Sequence, residues 1–198
     1  MVTTKDDRYI FVSFGYGSLR KYSIKEQILK FDYGKIFLDS TIKAIVGTLD
    51  SRFLWVCGNK GCMVVIDIAK DEVVKDFGQV HEKKASAMAC SGVYVFSSET
   101  QGHLFQWDIG EQALVKKYEN AHNTEIKCLV VDLKNNGFWT GDASGYVKSW
   151  SIDDRAVVRD YKGVCAMEVR SMVITGDSEF VFIGDSVGGL FQISVADQ

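Results

Sequence analysis

The sequence predicts an all-β fold assembled from repeated four-stranded antiparallel sheets. Three observations carry that prediction. First, one phrase recurs five times: SFGYGSLRKYSI at 13–24, CGNKGCMVVIDI at 57–68, SSETQGHLFQWDI at 97–109, WTGDASGYVKSWSI at 139–152 and IGDSVGGLFQISV at 183–195. Each copy is a small polar or glycine-bearing turn followed by a short alternating strand. Second, the bulky residue near the end of that strand (Tyr22, Ile66, Trp107, Trp150, Ile193) returns after 44, 41, 43 and 43 residues. A period in the low forties is that of a four-stranded blade in a β-propeller. Third, no stretch of ten or more residues carries a convincing helical pattern, and KEQILKFD, which could be read that way, falls in a fourth strand by the repeat.

The elements follow unit by unit. In the first, Arg8–Phe14 aligns with a second strand, which leaves only Met1–Thr4 for the strand before it. The unit at 122–161 is the clearest. HNTEIKCLVVDL supplies a first strand with Ile126, Leu129 and Val131 pointing inward, and Lys134-Asn135-Asn136-Gly137 a type I′-like or longer hairpin turn. GFWTG is the second strand, GYVKSWSI the third, Asp153-Asp154-Arg155 a turn and AVVRDYK the fourth. Strands of five to seven residues joined by tight turns argue for antiparallel sheets throughout. In the last unit Gly189–Val195 is a third strand, with no fourth before Gln198. The expected organisation is one propeller region over 1–198, with blades at about 1–34, 40–78, 83–120, 124–162 and 166–198.

Composition narrows the function classes. The 198 residues suit one domain, or a piece of a larger one. Net charge is −3, with 23 basic and 26 acidic residues intermixed. Lys83-Lys84 and Lys116-Lys117 read as isolated pairs, so nucleic acid is not the expected partner. The first residues form no signal peptide, and no apolar run is long enough for a membrane helix, so no membrane partner is expected. The cysteines (57, 62, 90, 128, 165) are odd in number and mostly sit in apolar runs. They read as buried free thiols in a reducing compartment; the cytoplasm fits, and so does the nucleus. CGNKGC lacks the second pair that a zinc site needs, so neither metal nor cofactor is expected. The 18 glycines and the absence of proline mean that Gly, Asp, Asn and Ser make the turns.

The repeated units resemble WD repeats, the blades of WD40-type β-propellers, over essentially the whole chain. In that family a Gly-His pair precedes the first strand and Trp-Asp closes the third. Here Ala121-His122 and Val80-His81 stand for the first pair. Gln106-Trp107-Asp108 is a full Trp-Asp ending; Ser149-Trp150-Ser151 keeps the Trp, Ile66-Asp67 keeps the Asp, and Tyr22-Ser23 and Ile193-Ser194 are degenerate. The resemblance implies hydrogen-bond networks inside the blades, His122–Thr140–Trp150 and His81–Ser97–Trp107. The family's acid in the turn before the third strand is replaced here by Gln101 and Ser144, and Asp142 comes two residues early. It also implies a non-enzymatic scaffold that docks a protein or peptide on its rim.

The phase leaves the ring open at about four and a half blades, where most members of that family have seven. Three arrangements fit: a fragment of a larger propeller, a short chain that completes its ring with a partner or a second copy, or an unusual small ring. A propeller enzyme is the remaining class. It would need acids or histidines facing the channel near the first strands, where Ile42, Ala85, Ile126 and Val169 stand instead. No catalytic motif is present, and two of the three histidines are absorbed by the blade networks.

Candidate partner-binding residues come from the turns before the third strands. Glu99, Asp142 and Asp185 occupy one equivalent position, with Gly15 and Asn59 in the other two units. They read either as an acidic rim for a basic partner or as ordinary turn chemistry. Tyr16 and Lys60 sit one position further on, and an exposed Tyr16 would be a docking anchor. Trp55 and Trp139, at equivalent second-strand positions, are expected to pack between blades.

Overall fold

A computed structural model describes residues 1–196. It contains five antiparallel sheets and, among the described residues, no α-helix. The first sheet is β1 (Val2–Thr3), β2 (Tyr9–Ser13), β3 (Ser18–Ser23) and β4 (Leu29–Lys35). The second is β5 (Ile42–Gly47), β6 (Phe53–Gly58), β7 (Cys62–Asp67) and β8 (Glu72–Gln79). The third is β9 (Ala85–Cys90), β10 (Tyr94–Glu99), β11 (Leu104–Asp108) and β12 (Ala113–Tyr118). The fourth is β13 (Ile126–Asp132), β14 (Gly137–Asp142), β15 (Val147–Ser151) and β16 (Ala156–Tyr161). The fifth holds three strands, β17 (Val169–Ile174), β18 (Phe180–Asp185) and β19 (Leu190–Ser194). In every sheet the strands are neighbours in chain order.

The first strands β1, β5, β9, β13 and β17 lie beside one another in succession. The sheets therefore fan outward from a common line, as blades. The second and third strands are the most buried, whereas β4, β8 and β16 are largely exposed along the outside. Both faces of an inner blade are covered, so its middle strands read as nearly continuous apolar runs such as FLWVCG. Four apolar clusters fill the four gaps between successive blades. Trp55 packs in the gap between the second and third blades and Trp139 in that between the fourth and fifth, each against an aromatic ring of its own fourth strand, Phe77 and Tyr161.

The structure narrows some local expectations, the fourth-blade turn and the inward set on β13 among them, and corrects others. The fourth-blade hairpin has a four-residue connection, 133–136, because Asn136 takes a left-handed φ of 49° and Asp132 accepts both the N–H and the side-chain N–H of Asn135. On β13, only one set of apolar residues faces the third blade: Ile126, Leu129 and Val131; Cys128 and Val130 face the fifth. A bulge between Ile126 and Cys128 produces that switch. The same irregularity follows Ile42 and Val169. As a result Ile126, Val169 and Ala85 are sealed between blades and do not line a channel. Of the residues that follow Ile42, Ile126 and Val169, Lys43 and Arg170 are exposed and Lys127 is half-buried. The cysteines are all free, but only Cys57 and Cys165 are buried; Cys62, Cys90 and Cys128 are half-buried.

Candidate functional site

Connections between second and third strands, and loops leading into first strands, meet at one mouth of the fan. One clamp joins them. In the turn before β11, Gly102 has φ +83°, and its carbonyl accepts the N–H of His122 from the loop entering the fourth blade. A Cβ on Gly102 would lie 2.1 Å from the His122 carbonyl oxygen and 2.7 Å from that of Thr124. Gly61 meets His81 and Lys83 in the same way, and its carbonyl accepts the N–H of His81. Only glycine combines that backbone with so close an approach.

Each clamp brings a loop residue under the blade it enters, and in the fourth blade that residue is His122. Asp142 Oδ2 lies 3.0 Å from His122 Nδ1, and Thr140 Oγ1 lies 2.6 Å from Nε2. Trp150 Nε1 donates to Thr140 Oγ1 at 2.9 Å. One set of roles satisfies all four groups: Trp150 donates to Thr140, Thr140 to His122 Nε2, and His122 Nδ1–H to Asp142. The other carboxylate oxygen of Asp142 accepts the N–H groups of Ser144 and Tyr146 at 2.9 and 3.0 Å. Burial pushes the Asp142 carboxyl up, but the bonds from His122 and the turn outweigh it and hold the pKa below the usual carboxylate range. The acid of this network is thus Asp142 itself, not the residue at Ser144 that alignment of the units offered. Asp supplies both the turn cap and the histidine acceptor from one position.

The third blade departs from this pattern. Trp107 Nε1 donates to Ser97 Oγ at 2.8 Å, but His81 makes no bond to Ser97. Both ring nitrogens of His81 are buried without a hydrogen-bond partner among the described residues, and the ring lies edge-on to Phe105 at 4.5 Å. Glu99 replaces Asp142 here and is one methylene longer. Its Oε2 accepts the backbone N–H of Lys83, and its Oε1 has no hydrogen bond, lying 3.8 Å from His103 Nε2. Burial pushes the His81 pKa down to about 4. From about pH 6.5 down to about 4, the unfolded chain therefore takes up a proton that the folded chain refuses. Stability contributed by neutral His81 is complete above about pH 6.5 and declines as pH falls towards 4, by roughly 3 kcal/mol in all. Denaturant unfolding at pH 6.5 and 4.5 should show a smaller loss in His81→Phe than in the parent chain. Equal losses would reject this role for His81.

The rim expectation changes sign. Glu99 is 0% exposed, Asp142 2% and Asp185 8%. A carboxylate with that little surface cannot meet a partner. Asp185, like Asp142, caps its own turn, accepting the N–H groups of Val187 and Gly189 at 3.0 and 2.7 Å. The mouth exposes Tyr16 at 80%, Leu38 at 82%, part of Phe14 and Lys60 on the first two blades, and Met167 and Val187 on the fifth. Tyr16 holds a φ of +62°, unusual for a bulky residue, where Lys60, Gln101, Ser144 and Val187 have none. Lys35, Lys43, Lys83 and Lys84 are exposed at the same mouth, and no local sequence signal marks them as one group.

The network is almost wholly buried, with Thr140 0%, His122 1% and Asp142 2% exposed, and His122 and Asp142 form the floor of a small pocket walled by Tyr146, Lys148, Asp160 and Lys162. Among the described residues no group of three or more His, Cys, Asp or Glu is placed to hold a metal ion, and no helix is long and apolar enough to cross a membrane.

No protein-family model matches the chain, and no curated protein matches it by sequence. Solved structures do. The computationally designed Ika8 protein superposes with a TM-score of 0.81 at 21% identity over 96% of this chain and 56% of its own. A chain of a mitotic checkpoint complex superposes with a TM-score of 0.87 at 11% identity over 98% of this chain and 59% of its own. The chain thus spans somewhat more than half the length of either. With five radial antiparallel sheets, these likenesses show the fold: the chain is an arc of β-propeller blades.

Proposed function

We propose that this chain is a non-enzymatic interaction scaffold of the WD-repeat type, which binds a protein or peptide partner on its rim. The observation that carries the reading is the contrast at one mouth. The titratable network is almost wholly buried, while Tyr16 and Leu38 stand out in solvent. Tyr16 does so from a left-handed backbone that a glycine would occupy at less cost, and such strain is found where a side chain is needed for recognition. The blades fix the backbone beneath these side chains, so binding has to order the side chains and not the turns that carry them. A photo-crosslinking residue at position 60, compared with one at Asn135 on the opposite mouth, tests the reading. Partner adducts should form from position 60 and not from 135. Adducts from 135 alone would overturn it.

A second reading is a structural subunit whose ring is completed by another chain or copy. The outward face of the fifth blade favours it, since Val173 and Leu190 are largely exposed there. Light scattering across a concentration series decides: a discrete dimer supports this reading, and a monomer at every concentration removes self-association.

A further inference from the structure

Building on that rim reading, we infer that the mouth of the first three blades is a docking site for an acidic peptide segment with an apolar anchor. The parts come from separate stretches of chain that the fold brings into one arc. The turn carrying Tyr16 touches the loop carrying Leu38: Ile36 N–H donates to Gly17 O at 3.0 Å, and a Cβ on Gly17 would lie 2.4 Å from Phe37 O. That loop in turn holds the next turn, where Lys60 N–H donates to Ser40 Oγ at 2.9 Å and Asn59 N–H to Thr41 O at 2.7 Å. Beyond it, a Cβ on Gly61 would lie 2.8 Å from Lys83 O, and Thr100 N–H donates to Lys84 O. The arc therefore runs without a break from Tyr16 to Lys84.

Its charge is one-sided. Lys35, Lys43, Lys60, Lys83 and Lys84 are exposed, and none makes an ion pair among the described residues. The acids nearby are mostly engaged or buried. Glu99 is buried, Glu82 is engaged by Lys117 at 3.0 Å, and beside Lys35 Asp32 is held by Arg20 and Asp76 caps Gly78, so that Asp39 is the exposed acid of the loop itself. On the fourth and fifth blades most of the charge at the same mouth is paired, with Lys127 held between Glu125 and Glu168, Arg170 on Glu168 and Lys148 near Asp160, and Lys162 exposed without an ion pair among the described residues. Unpaired positive charge next to exposed Tyr16 and Leu38 fits a chain segment with acidic side chains and one apolar residue. A nucleic acid fits less well. The arginine beside the arc, Arg20, is already taken by Asp32 and lies over the Phe14 ring, so the free cations are lysines without an arginine fork, and Leu38 offers a base no ring to stack on.

The test is fluorescence anisotropy of the whole chain with four labelled probes: a twelve-residue peptide of Glu, Asp and Leu, its counterpart with Lys for each acid, one with Ser for each acid, and a single-stranded DNA of twelve nucleotides. The acidic peptide should bind best, and at least tenfold more weakly in 300 mM than in 50 mM salt. Combined Lys60→Glu, Lys83→Glu and Lys84→Glu should weaken it a further tenfold or more. Tyr16→Gly should also lose about tenfold while melting no lower than the parent, because glycine accepts the left-handed backbone. Equal affinity for the acidic peptide in the charge-reversed chain overturns the inference, as does tighter binding of the DNA. If the lysine or serine peptide binds best and Tyr16→Gly abolishes it, the charge assignment falls and the rim reading stands. If no peptide binds, both fall.

Discussion

Replacing Trp150 with alanine should destabilise the chain by about 3–5 kcal/mol. The indole is buried in the gap between the third and fourth blades, stacked on Phe138 with centroids 5.6 Å apart and edge-on to Tyr118 at 5.5 Å. Alanine leaves a cavity there that neighbouring strands cannot close, since both are held in register by β15. It also removes the donor to Thr140, so the polar chain that runs on to His122 and Asp142 loses its first member. Trp150→Phe separates the two effects. It keeps most of the packing and deletes the N–H, and its loss should stay within about 1–2 kcal/mol. Urea unfolding followed by far-ultraviolet dichroism measures both. A loss for alanine no larger than that for phenylalanine would contradict the packing described.

Gly102→Ala should cost about as much, although only one methyl group is added. Two penalties combine. A left-handed backbone costs a residue with a Cβ roughly 1–2 kcal/mol. The new methyl also points at two backbone carbonyls, and neither can swing away as a side chain would. Either the loop entering the fourth blade shifts, carrying His122 off Thr140, or the turn opens. Relieving such overpacking costs a further 1–3 kcal/mol or so. The sum corresponds to a melting temperature lower by roughly 5–15 °C for a chain of this size. Gly15→Ala is the control, because a Cβ at Gly15 meets nothing within 4 Å and its φ is not in the left-handed range. Similar melting for the two variants would remove the clamp from the account.

The repeat made the architecture readable. Turn, strand and bulky residue recur at a spacing that fits a four-strand unit, and each part of that signal is local. Trp150 and Thr140 are likewise carried by adjacent strands of one hairpin, a relation that survives in the order of residues. What stayed hidden depends on atoms that meet across the fold. Asp142 lies two residues from the aligned position of the family acid, and only its side-chain geometry shows that it caps a turn and reaches His122 together. Glu99 looks like its equal in sequence, yet one methylene takes its carboxylate to Lys83 and leaves His81 unpaired. The bulge after Ile126 changes which blade each side chain of β13 meets, and alternation alone cannot announce a bulge. The lysines of the rim are scattered between positions 35 and 84, so no window of sequence could collect them.

The glycine clamps have a consequence for evolution of the surface they support. Each joins one blade to the next through main-chain atoms alone, carbonyl to N–H, with the glycine's missing side chain as its one sequence requirement. Ser144 apart, whose Oγ donates to Thr124 Oγ1 at 3.3 Å, the neighbouring turn positions, occupied by Tyr16, Lys60, Gln101 and Val187, contribute no side-chain hydrogen bond to that joint among the described residues. They are free to drift. A lineage can rewrite the chemistry of its rim, residue by residue, while the angle between blades stays as it was. Binding preference and architecture thereby rest on separate positions of each turn.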